Sequence, residues 1–378
     1  MTVVALTGAR IFDGERLRDG EAVLIDGTRI AGIVATGYVP ADAEQRAVDG
    51  LIAPGFVDVQ VNGGGGVLFN DARTVEGIAA IGVAHRRYGT TGFLPTLITD
   101  SFEATTEAMA AAEEALAQGV PGLLGIHLEG PFLNPERKGA HQASFMRPVE
   151  EADITLMTGL TRGRTLVTLA PEMVSTQTIA RLASAGVLVS AGHTAASYET
   201  IRAARAAGLT AFTHLYNALP PLTGREPGPV GAALDDFDAW CGLIVDLVHV
   251  SAPSLRVAIN ARGWERMMLI TDAMSSVGSE LGEFVLHGRT VTRERGRLTM
   301  EDGTLAGSDL DMATAVRNTV EALGLPLEVA LRMASRTPAE FLGLDDEIGQ
   351  IAPGFRADLV LLDAGLTVQQ TWINGSDA

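Results

Sequence analysis

LLGIHLEGP (residues 123–131), VLVSAGHT (187–194), TAFTHLYNA (210–218) and MMLITDA (267–273) decide the fold of this chain. Each is a short apolar run that ends in a group able to bind a metal or carry a proton: Glu129, His193, His214 and Asp272. An apolar strand buried on both faces holds its backbone rigidly, and the residue at its carboxyl end projects into a shared mouth in barrel architectures. Zinc catalysis needs ligands fixed in this way, with one coordination position left open.

Working outward, the same texture recurs eight times: GFVDVQ (55–60), TGFLPT (91–96), LLGIHLE (123–129), TLVTLA (165–170), VLVSAG (187–192), TAFTH (210–214), GLIVDL (242–247) and MMLITD (267–272). Between these runs lie Ala- and Glu-rich pieces with apolar residues at helical spacing that finish at Gly, such as residues 101–119 and 197–208. Eight strands alternating with helices predict an α/β fold, a (β/α)8 TIM-like barrel. A doubly wound sheet is the competing architecture. It calls for a Gly-rich phosphate turn after the first strand, and glycines 63–66 lack the full dinucleotide fingerprint. They read instead as a flexible loop at the barrel mouth.

Residues 3–14, 21–33, 46–56 and 348–375 have a different character, with short strands punctuated by Gly and Asp. The two ends are expected to pair into one small sheet, a β-sandwich domain of residues 1–53 and 345–378 beside a barrel of 54–344. The length of 378 residues fits one large domain with one small appendage.

Twenty-eight basic against 46 acidic residues leave a net charge of −18, a field that repels nucleic acid and anionic membranes. With Cys241 alone, no internal disulfide can form. The first residues lack a secretory pattern, and no apolar run approaches the roughly 20 residues of a membrane span, so a cytoplasmic protein is expected.

Taken singly, each candidate has an ordinary explanation. A strand-end Glu is commonly solvated or salt-bridged, a lone His is commonly a hydrogen-bonded structural residue, and Asp272 could cap the next helix. Taken together, imidazole and carboxylate suit zinc or iron(II) better than magnesium. Asp272 beside such a metal would take a proton from water and return it to a leaving group.

HLEGPFLNPERKGAH, SAGHT, THLYNA and ITDAM, set between terminal β segments, resemble the amidohydrolase superfamily and, within it, the N-acetylglucosamine-6-phosphate deacetylase family. The resemblance spans nearly the whole chain. It implies deacetylation of N-acetylglucosamine 6-phosphate to glucosamine 6-phosphate and acetate, with Glu129, His193 and His214 holding one divalent metal, zinc by donor type, and Asp272 as general base and acid. It further implies that His141 polarises the acetyl carbonyl. Substrate contacts fall on Asn217, Ala218, Arg225 and His249, with Leu305 and Ala306 in DGTLAGSDL (302–310) closing over the sugar. Arg225 and His249 would serve a neighbouring subunit's site in a homodimer. The plain alternative for 302–310 is a turn in which Ser308 or Asp309 caps the following helix.

Departures from the superfamily pattern refine the metal count. Where many members carry an HxH pair, this chain has Gln60 and Asn62, poor zinc ligands, so one metal is expected. The only lysine, Lys138, lies outside the fourth strand, which disfavours the carboxylated-lysine branch. The same chemistry on N-acetylgalactosamine 6-phosphate, a cyclic amidase, and a non-catalytic binding protein on this scaffold are the rivals.

Overall fold

The computed structural model describes residues 3–377. At its centre, eight parallel strands follow one another in sequence order: β1 (Phe56–Val61), β2 (Thr90–Ile98), β3 (Gly125–Glu129), β4 (Arg164–Leu169), β5 (Leu188–Ala191), β6 (Ala211–Phe212), β7 (Trp240–Ile244) and β8 (Met267–Ile270). All eight runs singled out in the sequence are strands. The sheet closes where β8 returns to β1. There Asp272 N donates to Gln60 O at 3.0 Å and Asn62 N to Ala273 O at 2.9 Å, and buried Asp58 accepts from Thr271 Oγ1 at 2.5 Å. Sequential order with closure is a barrel, and it removes the doubly wound alternative.

The helices begin where the sequence provides caps. Ser101 Oγ accepts from Ala104 N ahead of helix Phe102–Ala117, and Ser197 does the same for helix Tyr198–Ala206. In the first of these the buried face is mostly alanine, Ala104, Ala108, Ala111, Ala112 and Ala115 beside Thr105 and Met109, so the helix lies close to the strands.

The chain ends build two sheets, as the expected sandwich requires. Val4–Thr7, Glu21–Asp26, Arg29–Ala35 and Glu44–Ala47 form a wholly N-terminal four-stranded sheet. Arg10–Phe12, Leu17–Arg18 and Leu51–Pro54 join Leu359–Leu362 and Val368–Trp372 in a five-stranded one. The period-2 alternation of the second sheet explains its position as a middle layer. Ile52, Leu359, Leu361 and Trp372 pack with Leu6, Val23 and Ile25 of the first sheet, whereas Leu51, Ala53, Val360 and Leu362 pack into the barrel core.

Two other local readings change. Gly63–Gly64 pairs with Val67–Leu68 in a tight hairpin, not a flexible loop, and a Cβ on Gly64 would lie 2.9 Å from the His85 ring. After β8, strands Glu283–Leu286, Arg289–Glu294 and Arg297–Met300 form an antiparallel sheet that the sequence reading passed over. Its signals were present, since His287-Gly288 and Arg295-Gly296 both take the left-handed backbone of two-residue hairpin turns. No helix among the described residues is long and apolar enough to cross a membrane.

Candidate metal and substrate site

Glu129 is the last residue of β3, and the chain must leave the barrel immediately after it. Gly130 makes that exit at φ 96°, where a Cβ would fall 2.1 Å from Thr99 Oγ1, so no other residue fits. His193, His214 and Asp272 stand just past β5, β6 and β8 with φ of 48°, 30° and 54°. Left-handed backbone is uncommon for non-glycine residues, although His and Asp tolerate it best. Each such residue costs about 1–3 kcal/mol, and such residues cluster at functional sites.

These turns bring the side chains together in a buried group. Glu129 Oε1 lies 3.0 Å from His214 Nε2 and 3.3 Å from His193 Nε2, and the two imidazole nitrogens are 3.1 Å apart. Ligands about 2.0–2.1 Å from a tetrahedral zinc stand roughly 3.3 Å from one another, so the spacing suits one small divalent cation. His193 Nδ1 donates to the Arg137 carbonyl at 2.8 Å, which fixes the tautomer and leaves the Nε2 lone pair facing Glu129 and His214. Burial pushes the Glu129 carboxyl up, but hydrogen bonds and charge from His193 and His214 outweigh it and hold the group well below the usual carboxylate range. Burial likewise pulls His214 down, and Glu129 more than offsets it, leaving that imidazole raised. Both directions describe a carboxylate that draws positive charge into the cluster, as a bound cation would supply.

Gln60 and Asn62 serve as hydrogen-bond donors. Gln60 Nε2 reaches Glu129 Oε1 at 3.2 Å and Asp272 Oδ1 at 3.1 Å, and Asn62 Nδ2 reaches the same Oδ1 at 2.7 Å. With Oδ1 doubly occupied, Asp272 keeps Oδ2 open toward the cleft it lines. Burial, then the charge of Glu129, pushes this carboxyl up to about 6. No helix among the described residues starts just after Asp272, so it caps none, and a carboxyl raised this far can exchange a proton near neutrality.

Thr99 N donates to His141 Nδ1 at 3.3 Å, and burial holds the ring well below its ordinary pKa. The same Nδ1 lies 2.8 Å from Thr99 Oγ1; in the tautomer that accepts from Thr99 at Nδ1, the neutral ring carries its proton at Nε2, which is then a donor. Below the cluster, His127 shares Glu129's side of β3 and bonds Thr96 Oγ1 at 3.2 Å and Thr168 Oγ1 at 2.8 Å, continuing through Thr213 to Ser190. Burial pushes His127 down to about 4, so it supports the cluster as a neutral residue. The sequence reading missed it, although its two-residue offset from Glu129 was the available sign.

A cleft of about 360 Å³ opens above the cluster, within the range of small-molecule sites. Glu129, His141, His193, His214, Asn217, Ala218, His249, Asp272 and Leu305 all line it. His249 Nδ1 bonds Asp246 Oδ2 at 2.6 Å and faces the cleft of its own chain. Two expected residues do not reach it. Arg225 is exposed on the loop after β6, and Ala306 is fully buried, its N donating to Leu298 O at 3.2 Å. Neither Ser308 nor Asp309 caps the next helix. Asp311 does, while Ser308 Oγ donates to Thr271 O and Asp309 pairs with Arg293 at 2.7 Å. The unanticipated sheet supplies Leu286 to the cleft wall.

The amidohydrolase family pattern matches residues 51–376, and the NagA composite domain matches residues 4–52. An N-acetylgalactosamine-6-phosphate deacetylase from Shewanella sp. (strain ANA-3) is 42% identical, with 97% of this chain and 94% of that protein covered. A crystal structure of N-acetylglucosamine-6-phosphate deacetylase from Pasteurella multocida is 33% identical, superposes with a TM-score of 0.95, and covers 99% of this chain and 98% of its own. A Mycobacterium smegmatis N-acetyl-D-glucosamine-6-phosphate deacetylase variant, solved with N-acetyl-D-glucosamine-6-phosphate, is 34% identical with a TM-score of 0.91 and covers 99% and 98%. With a closed barrel, a Glu-His-His cluster and family agreement along its whole length, this chain belongs to the amidohydrolase family.

Proposed function

We propose that the protein hydrolyses the acetamide of N-acetylglucosamine 6-phosphate, releasing acetate and glucosamine 6-phosphate. The observation that carries this reading is the convergence, in one cleft, of the Glu129–His193–His214 cluster, an open Asp272 carboxylate and a neutral His141 donor. One divalent cation per chain, zinc by donor type, would be held by Glu129, His193 and His214. When bound, it supplies Lewis acidity that acidifies water and polarises a carbonyl.

The chain's own groups account for the rest. His141 donates from Nε2 to the acetyl oxygen as negative charge develops there. Asp272 Oδ2 accepts the proton of the attacking water while Gln60 and Asn62 hold Oδ1 in place. The same carboxyl then protonates the departing amine, so base and acid are one group in two states. Asn217, Ala218, His249 and Leu305 position the sugar phosphate, which fixes the amide against the reacting groups. Arg225, exposed away from its own cleft, serves the site of a second subunit in a homodimer. The proposed setting is the cytoplasm, because a charged phosphate ester does not cross a bilayer unaided.

The 42% identical Shewanella relative favours a second substrate, N-acetylgalactosamine 6-phosphate. Acetate release measured on both 6-phosphates and on the unphosphorylated sugars tests the proposal. Activity on neither phosphate ester overturns it, and the ratio of kcat/KM between the epimers ranks the two substrates.

A further inference from the structure

Arg137 closes the short 3-10 turn Pro135–Arg137, and its carbonyl holds His193. Arg137 also lines the cleft, where it is the sole Arg or Lys among the described lining residues. Arg137 Nε is buried without a hydrogen-bond partner, and no carboxylate pairs with this guanidinium among the described residues. In a chain with 46 acidic against 28 basic residues, an arginine that pairs with no carboxylate beside a cavity suits an anionic ligand. A buried donor without a partner is destabilising unless a ligand completes it. The carboxylates that share the cleft are otherwise engaged or remote: Glu129 in the cation cluster, Asp272 with two amides, and Glu136 exposed at the rim.

We propose that Arg137 clamps the 6-phosphate of the substrate from within the same chain. This rests on the deacetylase reading above. A planar guanidinium takes phosphate oxygens in a fork, a geometry that Lys cannot reproduce. Because the same residue fixes His193 through its carbonyl, it sets the separation between the cation cluster and the phosphate. The amide and the phosphate of one substrate are thereby gauged by a single residue. Substitution of the side chain leaves that carbonyl in place.

The test uses the purified full-length protein with Arg137→Ala and Arg137→Lys, measuring bound metal, acetate release from phosphorylated and unphosphorylated N-acetylhexosamines, and inhibition by inorganic phosphate. Arg137→Ala should raise KM for the phosphate ester tenfold or more and weaken phosphate inhibition equally. Its effect on kcat/KM for the unphosphorylated sugar should be severalfold smaller, with bound metal retained, as expected for loss of one charge-assisted contact to the phosphate. Arg137→Lys should recover part of the loss. Equal losses on both sugars, unchanged phosphate inhibition, or loss of metal in both variants would overturn the assignment. If the wild-type protein releases no acetate from either ester, yet inorganic phosphate binds it and not Arg137→Ala, the substrate reading fails while the anion clamp stands.

Discussion

Gln60 on the first barrel strand donates one amide hydrogen to Asp272 past the last strand, at 3.1 Å, and its other to Glu129, at 3.2 Å. One side chain thus spaces the proposed base from a proposed ligand. Gln60→Ala should keep most of the metal and lower acetate release about tenfold or more, since a hydrogen bond to a charged group contributes about 1.5–3 kcal/mol. Metal analysis beside steady-state rates separates this from simple loss of the cation.

Asp272→Asn preserves shape and removes the proton acceptor. Acetate release should fall about 10²–10⁴-fold with metal content retained, the usual range for general acid–base catalysis. Near-normal turnover would reassign proton transfer to another group.

Burial and Glu129 push the Asp272 carboxyl up to about 6, so the fold favours its protonated form more than water does. The base form is therefore depleted as pH falls through that value, and kcat/KM should drop on the acid side. A bound cation draws the limb to lower pH by favouring the carboxylate. A pH profile whose acid limb persists unchanged in Asp272→Asn would assign the limb elsewhere.

Elemental analysis should find one divalent metal per chain, because Gln60 and Asn62 offer amide donors where a second imidazole pair would sit. His193→Ala or His214→Ala should reduce that value severalfold. Chelation should abolish acetate release and lower Tm, since a ligand that binds only the folded state stabilises it. Two metals per chain would refute the single-site count.

Arg225 is exposed, whereas His249 lines the cleft of its own chain. If Arg225 completes a neighbour's site, Arg225→Ala should raise KM for the phosphorylated sugar more than for the unphosphorylated one. Mixing Arg225→Ala with Asp272→Asn chains should then regenerate activity that neither has alone. A mixture no more active than the sum of its parts would confine Arg225 to its own subunit or to no role.

The barrel and its four strand-end groups were legible because one physical requirement wrote both. Strands buried on two faces must be continuously apolar, so a polar residue ending such a run stands out, as Glu129 and His214 do. His127 was illegible for the complementary reason: it lies inside an apolar run, and only the closed barrel shows which threonines satisfy it. Ala306 was assigned by motif position, but pointing direction depends on backbone turns that motif position does not encode. The Glu283–Met300 sheet carries hairpin signals at its two turns, but its strands are short and largely polar and lack the apolar run that marks the barrel strands. Gln60 and Asn62 were read as failed ligands, whereas their value as donors depends on two carboxylates more than 60 and 200 residues away in sequence.

The five-stranded sheet couples Leu51–Pro54 to Leu359–Leu362, joining the two ends of the chain across the whole barrel. During synthesis, Leu51, Ile52 and Ala53 leave the ribosome roughly 300 residues before their antiparallel partner exists. At about 5–20 residues per second, that apolar edge waits roughly 15–60 s unpaired. Over this interval the exposed edge is open to mispairing, which faster translation or chaperone cover would limit. A chain truncated before Leu359 would leave the barrel's covering layer permanently open along one strand.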